Sequence, residues 1–269
     1  MRQLQPYLAM QTIEDVWAHH IEVMTGFGFD RLFYAFHAFA TRPGGMVAPN
    51  DALFLTNHGA DYVDDYVYSS LYRDGPLMNW ATQNIGATSW RVVRDQAAAE
   101  GLSEGGRRVA TINQKYGLEA GYTISFPMAL RNSNAGFGLC ARKGLSQDDV
   151  DEIWAEHGDE IQVINHVAHL CILQLPAPHQ GQMLTARQAE ALELVADGKS
   201  TQDIAVIWGR NIATVEKHLR GARDGLGVET TAQAIRKASI LNQIFRATTP
   251  SSRKPSTENG TPITASNIG

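Results

Sequence analysis

The fold of the C-terminal part of the chain is decided by residues 184–228, which read LTARQAEALELVADGKSTQDIAVIWGRNIATVEKHLRGARDGLGV. Three places in this stretch carry side chains that can accept a hydrogen bond from the free N–H groups of a first helical turn. They are Thr185 with Gln188, Ser200 with Asp203, and Asn211. Gly198 and Gly209 suit the left-handed residue that ends a helix. The pattern predicts helices over 185–197 and 201–208 and a third from 212, which is a helix-turn-helix arrangement.

The third predicted helix has two chemically different faces. At 100° per residue, one stripe is apolar and is expected to be buried. This stripe consists of Val215, Leu219, Ala222 and Leu226. The opposite face carries Ala213, Lys217 and Arg220, with Thr214 and Arg223 on its flanks. A small, cationic face of this kind fits the major groove of DNA.

Contacts to DNA are expected from side chains at the start and on the exposed face of this helix. Lys and Arg reach phosphates or guanine edges, and Thr can contact either base or backbone. The expected DNA-binding residues are Arg210, Asn211, Thr214, Lys217 and Arg220. Glu216 on the same helix either accepts from a cytosine amine or points into solvent. The alternative for any isolated amphipathic helix is that its charged face is simply solvated.

The motifs in this segment resemble the LuxR-type helix-turn-helix domain. The matching pieces are LTARQAEAL at 184–192, ADGKS at 196–200, IA at 204–205, TVEKHL at 214–219 and LGV at 226–228. Gln188 stands where the family usually has Glu, and Arg210 stands where an apolar residue is common. The resemblance implies a transcriptional regulator that binds double-stranded DNA.

A fourth helix is predicted over residues 231–245, with an apolar stripe of Ala234, Ala238, Leu241 and Phe245. The resemblance implies that this helix closes the small core and supplies part of a homodimer contact. Because one short helix reads few base pairs, a dimer with a palindromic site is expected.

Charge and composition divide the chain into parts. Residues 1–180 hold 12 Lys/Arg and 20 Asp/Glu, a net of −8, whereas residues 181–269 hold 11 and 8, a net of +3. We expect a front domain over 1–173, a linker over 174–183 that contains two prolines and a glycine, and a DNA-binding domain over 184–246. The tail over 247–269 is poor in large apolar residues and is predicted to be disordered.

The front domain mixes helix and strand patterns. Amphipathic helices are predicted near 9–27 and 146–173, and short apolar strands at 32–40, 52–56, 122–130 and 137–142. A hairpin turn is predicted at 131–136. The whole chain is therefore predicted to be α+β: an N-terminal α/β/α sandwich with a mostly antiparallel sheet, followed by an all-α domain of four helices.

Residues 10–175 resemble the autoinducer-binding domain of quorum-sensing LuxR-type regulators. The resemblance rests on Tyr62 and Tyr66 spaced four apart, on Asp74-Gly75-Pro76, on Trp90 and on YGLEAG at 116–121. It implies a small diffusible signal, such as an acyl-homoserine lactone or a related amphiphile. The residues expected to bind it are Tyr62, Tyr66, Asp74, Trp90 and Arg142.

One departure from the family concerns the acid that accepts the ligand's amide proton. Counting nine residues from Tyr66 places Gly75 at that position, with Asp74 beside it. Asp74 reaches the same site through a local shift, or the contact is lost. Arg142 stands where a small hydroxyl residue often lines the pocket, and it favours an anionic or differently shaped ligand unless the strand register turns it outward.

Several other functions are weighed against this one. The front domain could serve dimerisation alone, with Tyr62, Tyr66 and Trp90 as ordinary core aromatics. A phospho-acceptor receiver domain is disfavoured, because Asp64-Asp65 lies in a helical segment rather than at a strand end. No nucleophile and base arrangement suggests an enzyme, and Cys140 and Cys171 show no metal-ligand spacing. No catalytic residue, metal or cofactor is expected, nor any membrane contact, and the expected location is the cytoplasm.

Overall fold

An antiparallel sheet of five strands forms the centre of the front domain. The computed structural model describes residues 3–37, 52–128, 133–178 and 182–246. Within these ranges the strand order is β2-β1-β5-β4-β3. The strands are β1 Phe29–His37, β2 Ala52–Thr56, β3 Gly86–Ser89, β4 Gly121–Ser125 and β5 Asn134–Ala141. The α+β fold class predicted from the sequence is confirmed.

The strand boundaries follow the sequence pattern where the strands are apolar. β2 has the predicted bounds, and β1 begins three residues before the predicted start at residue 32. The edge strand β3 is absent from the predicted set, because its sequence Gly-Ala-Thr-Ser carries no large apolar residue. Residues 38–40, 129–130 and 131–132 of the predicted strands and turn lie outside the described residues.

Two amphipathic helices cover one face of the sheet, as predicted. They are α1, Ile13–Gly26, and α6, Gln147–Gln174. Thr12 caps α1, and Ser146 with Asp149 forms a capping box at the start of α6. The ring of Trp17 on α1 stacks on that of Phe137 on β5, with 6.1 Å between ring centroids. This face forms the larger part of the front-domain core.

Buried polar side chains connect α1, β1 and α6 inside that core. Nε2 of His20 lies 3.1 Å from Oδ1 of Asn165, an atom that can only accept, so Nε2 carries the proton. Nδ1 of His20 then accepts from the hydroxyl of Tyr7 at 2.8 Å. Similarly, the hydroxyl of Tyr34 lies 3.0 Å from Nδ1 of His169. Burial lowers the pKa of His20 to about 3 and that of His169 to about 4, so both imidazoles are neutral near pH 7.

Shorter helices cover the opposite face. They are α2 Ala60–Val63, α3 Pro76–Gln83 and α5 Glu104–Tyr116. Helix α4, Arg91–Ala99, follows β3 and is tied to α6 by the ion pair of Arg91 with Asp151. A π-helical turn, Asp64–Tyr68, continues α2, and a 3-10 turn, Leu71–Asp74, precedes α3. Helices on both faces of the sheet give the predicted α/β/α arrangement. The space between this layer and the sheet holds the cavity described below.

The C-terminal domain consists of four helices, as predicted. They are α7 Ala186–Ala196, α8 Thr201–Trp208, α9 Ile212–Leu226 and α10 Thr231–Ile240. Capping boxes form at Thr185 with Gln188 and at Ser200 with Asp203, and the side chain of Asn211 caps α9. Gln188 therefore closes the capping box, as the sequence predicts. Gly198 and Gly209 take left-handed conformations at the first two helix ends, with φ of 82° and 60°.

The last helix is shorter than the sequence predicts. α10 ends at Ile240, and Asn242 takes a left-handed φ of 50°. The predicted continuation to residue 245 is wrong, because this backbone reversal turns the chain back toward the front domain. Phe245 is consequently half-exposed rather than buried on the stripe.

The chain after α10 holds the start of the linker by hydrogen bonds. The side-chain amide of Asn242 donates to the carbonyl of Leu173 at 2.5 Å. The amide of Gln243 donates to the carbonyl of Ala177 at 2.7 Å, and its oxygen accepts from the backbone N–H of Leu184 at 2.9 Å. We call these contacts the linker joint. Through them, residues just beyond α10 bind both ends of the connection between the two domains.

None of the helices in the described part of the chain is both long and apolar enough to cross a membrane. The predicted tail over 247–269 lies outside the described residues.

Candidate ligand cavity and DNA-binding surface

The front domain contains a cavity between the sheet and helices α2, α3 and α5. Strand alternation directs Tyr34 toward α6, whereas Phe33 and Ala35 face the cavity. On β5, Gly136 and Gly138 alternate on the cavity side and leave room where other residues would place side chains. The cavity has a volume of about 100 Å³, which is less than the roughly 300–1,000 Å³ of pockets for drug-sized ligands.

Two stacked tyrosines form one wall of the cavity. The rings of Tyr62 and Tyr66 lie 5.1 Å apart between centroids with an interplanar angle of 22°. The ring of His58 packs on Tyr62 at 4.6 Å, and Phe33 meets the Tyr66 ring edge-on at 5.9 Å. Burial raises the pKa of both phenols, so their hydroxyls stay protonated and can donate hydrogen bonds.

Trp90 lies in the cavity wall with its polar atom already bonded. Its indole N–H donates to the hydroxyl oxygen of Thr123 at 3.0 Å. Gly121 allows this approach, since a Cβ atom there would lie 2.9 Å from the indole ring. The ring is thus fixed against β4, and the Thr123 hydroxyl remains able to donate onward into the cavity.

The structure does not bring Asp74 into the cavity. Asp74 is exposed at the end of a 3-10 turn and packs against Gly105 of α5, where a Cβ atom would come within 2.5 Å of the Asp74 Cβ. Gly75 is the residue that faces the tyrosines. A Cβ atom placed on it would lie 3.2 Å from the hydroxyl oxygen of Tyr66. The expectation that Asp74 compensates through a local shift is wrong, because the turn directs its side chain to the outer side of α5.

Arg142 also lies away from the cavity. β5 ends at Ala141, and the backbone N–H of Arg142 donates to the carbonyl of Gly28 at 2.9 Å as the chain leaves the sheet. The side chain of Arg142 is exposed and borders a surface cleft with Lys143 and Glu119. The strand alternation that would have directed it inward stops one residue earlier, so its placement in the cavity is wrong.

Sequence reasoning missed several polar residues of the wall. They are His37, His58, Asn113, Thr123 and Cys140. Because side chains alternate between the two faces of β1, His37 lies on the same face as Phe33 and could have been predicted to line the cavity. Asn113 lies on α5, far from the cavity in sequence, and no local pattern marks it.

The described part of the wall is uncharged. None of its described residues is Asp, Glu, Lys or Arg. Burial lowers the pKa of His58 to about 4 and also lowers that of His37, so both imidazoles are neutral near pH 7. Burial raises the pKa of the Cys140 thiol to about 12, which keeps it protonated. The cavity therefore offers neutral hydrogen-bonding groups on an aromatic and aliphatic background.

In the C-terminal domain, α9 presents the predicted faces. The apolar stripe of Val215, Leu219, Ala222 and Leu226 is buried. Lys217 and Arg220 are exposed on the opposite side. An exposed pair of cations on a helix that follows a tight glycine turn is the geometry by which a helix-turn-helix enters the major groove.

The other polar side chains of α9 and of the turn before it differ in whether they are already hydrogen-bonded within the protein. Oδ1 of Asn211 accepts from both the backbone N–H and the hydroxyl of Thr214, each at 2.8 Å, so these two side chains hold the start of α9. Arg223 donates to the hydroxyl of Thr231 at 3.1 Å and thereby ties α9 to α10. Arg210 is exposed in the turn before α9.

Both parts of the chain match known families. Residues 12–172 match the family described as "Autoinducer binding domain", and residues 182–238 match "Bacterial regulatory proteins, luxR family". Within the described ranges, the first match contains the sheet and its cavity, and the second contains α7 to α9.

Individual proteins are similar over most of their length. The transcriptional activator protein LuxR of Aliivibrio fischeri is 25% identical over 205 residues, which cover 75% of this chain and 78% of that protein. The HTH-type quorum sensing-dependent transcriptional regulator RpaR of Rhodopseudomonas palustris is 28% identical over 191 residues, covering 68% and 72%. The crystal structure of Escherichia coli SdiA has 17% sequence identity and a TM-score of 0.49, covering 90% of this chain and 96% of that one. The chain therefore belongs to the LuxR-type quorum-sensing transcriptional regulators, in which an autoinducer-binding domain precedes a LuxR-type helix-turn-helix domain.

Proposed function

We propose that this protein is a homodimeric regulator whose affinity for a palindromic DNA site is set by an uncharged amphiphile, such as an acyl-homoserine lactone, bound in the front-domain cavity. The observation that carries this proposal is the cavity itself: an uncharged wall of aromatic and aliphatic side chains with the hydroxyls of Tyr62 and Tyr66 at one side. Such a combination of apolar surface with a few directed polar groups is typical of small-molecule sites.

Binding of an acylated ligand requires the cavity to enlarge. A volume of about 100 Å³ is too small for a whole acylated ligand. Leu77 and Met78 of α3 line the cavity, and we propose that their displacement makes room for the acyl chain. Unbranched Met side chains adapt readily to such a change. A ligand that fits only the enlarged arrangement shifts the population toward it, which is the thermodynamic requirement for control by a ligand.

The linker joint is the route by which that shift reaches the DNA-binding domain. Leu173 lies at the end of α6, the long helix that packs against the sheet, and its carbonyl accepts from Asn242. A movement of α6 is transmitted to the segment that follows α10. The ligand thereby alters the position or the dimerisation of the C-terminal domain.

The proposed DNA contacts are Lys217 and Arg220 on the exposed face of α9, Arg210 in the turn before it, and Asn211 and Thr214 at its start. Because Asn211 and Thr214 are already hydrogen-bonded to each other, they position α9 and contact the DNA backbone. The two cations supply most of the attraction and the base contacts. The site of action is the cytoplasm, where bacterial DNA is found.

The test is a series of thermal melting and size-exclusion measurements on the full chain with and without N-octanoyl-homoserine lactone. The proposal expects the ligand to raise the melting temperature and to increase the dimer fraction and the DNA affinity together. Ligand-dependent DNA binding without any change in stability or dimerisation would contradict it.

Tyr66→Phe distinguishes a sensor from a domain that serves only dimerisation. The variant keeps the ring stacked on Tyr62 and removes only the hydroxyl. A sensor loses ligand affinity while the unliganded stability and the dimer fraction stay unchanged. An unchanged response to ligand, together with an intact dimer, would favour the dimerisation module.

A further inference from the structure

Asn113 lines the cavity and carries a buried hydrogen-bond acceptor. Its side-chain oxygen Oδ1 is enclosed by the protein and has no hydrogen-bond partner among the described residues. Nδ1 of His37, at the wall as well, is the other buried orphan atom there. A buried polar atom without a partner is destabilising, and native proteins keep few of them. Two such atoms at one cavity indicate that a bound molecule supplies their partners.

The local structure holds Asn113 in place independently of any ligand. Its backbone carbonyl accepts from Leu118 at 2.8 Å, where α5 ends at a left-handed Gly117. Its neighbours Ile112 and Tyr116 pack against the small cluster of Tyr62, Leu118 and Cys140 beneath the cavity. Asn113 is therefore positioned by the end of its helix.

The other acceptor that the family resemblance leads one to expect is missing from the wall. Gly75 faces the Tyr66 hydroxyl without a side chain, and Asp74 lies on the outer side of α5. The nearby Asp65 is engaged at the surface with Lys115 at 2.6 Å and with Tyr116 at 2.8 Å. Among the described residues, none of these acids is available to a molecule in the cavity.

We propose that Asn113 determines ligand specificity by accepting a hydrogen bond through Oδ1 from a neutral N–H or O–H donor of the ligand head group, and that the uncharged wall rejects ionised ligands. This inference rests on the proposed function of the cavity. An amide or alcohol head group satisfies Asn113 and can accept from the Tyr62 and Tyr66 hydroxyls. An ester can accept from the tyrosine hydroxyls but offers no donor to Asn113. A carboxylate would be buried without an opposite charge to pair with it.

The experiment compares three probes that share an eight-carbon acyl chain. N-octanoyl-homoserine lactone has an amide N–H, the octanoyl ester of α-hydroxy-γ-butyrolactone has an ester oxygen in its place, and octanoate is an anion. Dissociation constants for the full chain are measured by isothermal titration calorimetry. We expect the amide to bind about tenfold more tightly than the ester, and octanoate to bind at least tenfold more weakly than either.

Variants of Asn113 test whether this residue causes the preference for the amide over the ester. Asn113→Leu removes the acceptor at similar volume and is expected to reduce the amide-to-ester ratio to less than threefold. Gln114→Leu changes the next, exposed residue of α5, outside the cavity wall, and is expected to leave the ratio unchanged. Asn113→Asp retains an acceptor in the same place and is expected to keep the ratio or to increase it, because a carboxylate accepts more strongly than an amide oxygen. This variant tests the proposal if the Leu variant does not fold.

Failure of this inference is distinguishable from failure of the proposed function. A tenfold ratio that persists in Asn113→Leu, a ratio lost in Asn113→Asp, or octanoate binding as tightly as the amide would overturn the role of Asn113 and the uncharged wall, while the cavity would remain a ligand site. If none of the three probes binds, the proposed function fails, and the inference fails with it.

Discussion

A Cβ atom on Gly75 would lie 3.2 Å from the hydroxyl oxygen of Tyr66, so the residue that faces the tyrosine pair has no side chain to offer. The backbone there, with φ of −68° and ψ of 124°, is open to any amino acid. The backbone angles therefore permit a side chain at this position, but its Cβ would lie 3.1 Å from the carbonyl oxygen of Tyr72, so its neighbours must shift by a few tenths of an ångström.

Gly75→Asp is expected to raise the affinity for N-octanoyl-homoserine lactone about tenfold, because a charge-assisted hydrogen bond is stronger than a neutral one. Calorimetric titration measures the gain. Gly75→Ala is the matched control, since it adds the same Cβ, 3.1 Å from the carbonyl oxygen of Tyr72, without an acceptor. Equal affinities in the two variants would show that a carboxylate at this position does not reach the ligand.

Lys217→Ala and Arg220→Ala are each expected to weaken DNA binding by about 1–3 kcal/mol if the side chain contacts a base, and uniformly across sequences if it contacts a phosphate. Both residues are exposed, so the melting temperature should change little. Fluorescence anisotropy with a fragment selected from a random pool measures the loss. Lys143→Ala removes the same charge from the front domain as a control, and wild-type affinity in both α9 variants would refute the assignment of this face.

Asn242→Gly is expected to loosen the linker joint. The substitution removes the side-chain hydrogen bonds to the carbonyls of Leu173 and Leu175, while glycine tolerates the left-handed φ of 50°. A loss of about 1–2 kcal/mol in stability follows from two net hydrogen bonds. Proteinase K should cleave the linker faster in the variant, as followed by mass spectrometry. Asn242→Asp, which retains the shape without the donor, should behave like Asn242→Gly, and cleavage at the wild-type rate in both would contradict the joint.

The free energy of unfolding is expected to fall as the pH drops below about 6.5. The folded pKa values of His20, His58 and His169 are about 3, 4 and 4, whereas the unfolded imidazoles titrate near 6.5. Between these limits the unfolded chain binds more protons, so each histidine contributes a slope of about 1.4 kcal/mol per pH unit. The effect vanishes above about pH 7, where both states are neutral.

Urea unfolding at several pH values between 7.5 and about 4.5 measures this slope. The groups hydrogen-bonded to His20 and His169 are uncharged: the Tyr7 hydroxyl and Asn165 at His20, and the Tyr34 hydroxyl at His169. At His58, burial lowers the pKa, the charge of Arg31 lowers it further, and that of Asp30 opposes the shift. Burial raises the pKa of both tyrosines, so they do not titrate in this range. His169→Gln should reduce the slope, and an unchanged slope would exclude His169 as a contributor.

Local patterns predicted the C-terminal domain well because its signals are local. Each helix start is marked in the sequence by a capping residue and a partner three positions later, such as Thr185 and Gln188. Each helix end is marked by a glycine. α10 is the exception: its end at Ile240 depends on Asn242 bonding to the carbonyl of Leu173, a residue 69 positions away. A pattern of apolar residues does not contain that information.

The cavity was only partly predictable for the same reason. The resemblance to the autoinducer-binding domain marked Tyr62, Tyr66 and Trp90, which all line the cavity. Asp74 and Arg142 were misplaced, because a 3-10 turn and the end of β5 decide where their side chains point. Asn113 reaches the wall only because α5 packs across the sheet, so no local sequence pattern identifies it.

The uncharged wall of the cavity also separates the two halves of the molecule in their response to ionic strength. A neutral molecule that enters neutral surroundings displaces no counterions, so its affinity is nearly independent of salt. The contacts proposed for Lys217 and Arg220 release condensed cations from DNA, and their strength declines steeply as salt rises. A rise of ionic strength in the cell would therefore weaken the hold on DNA while leaving the intrinsic affinity of the cavity for a neutral ligand nearly unchanged.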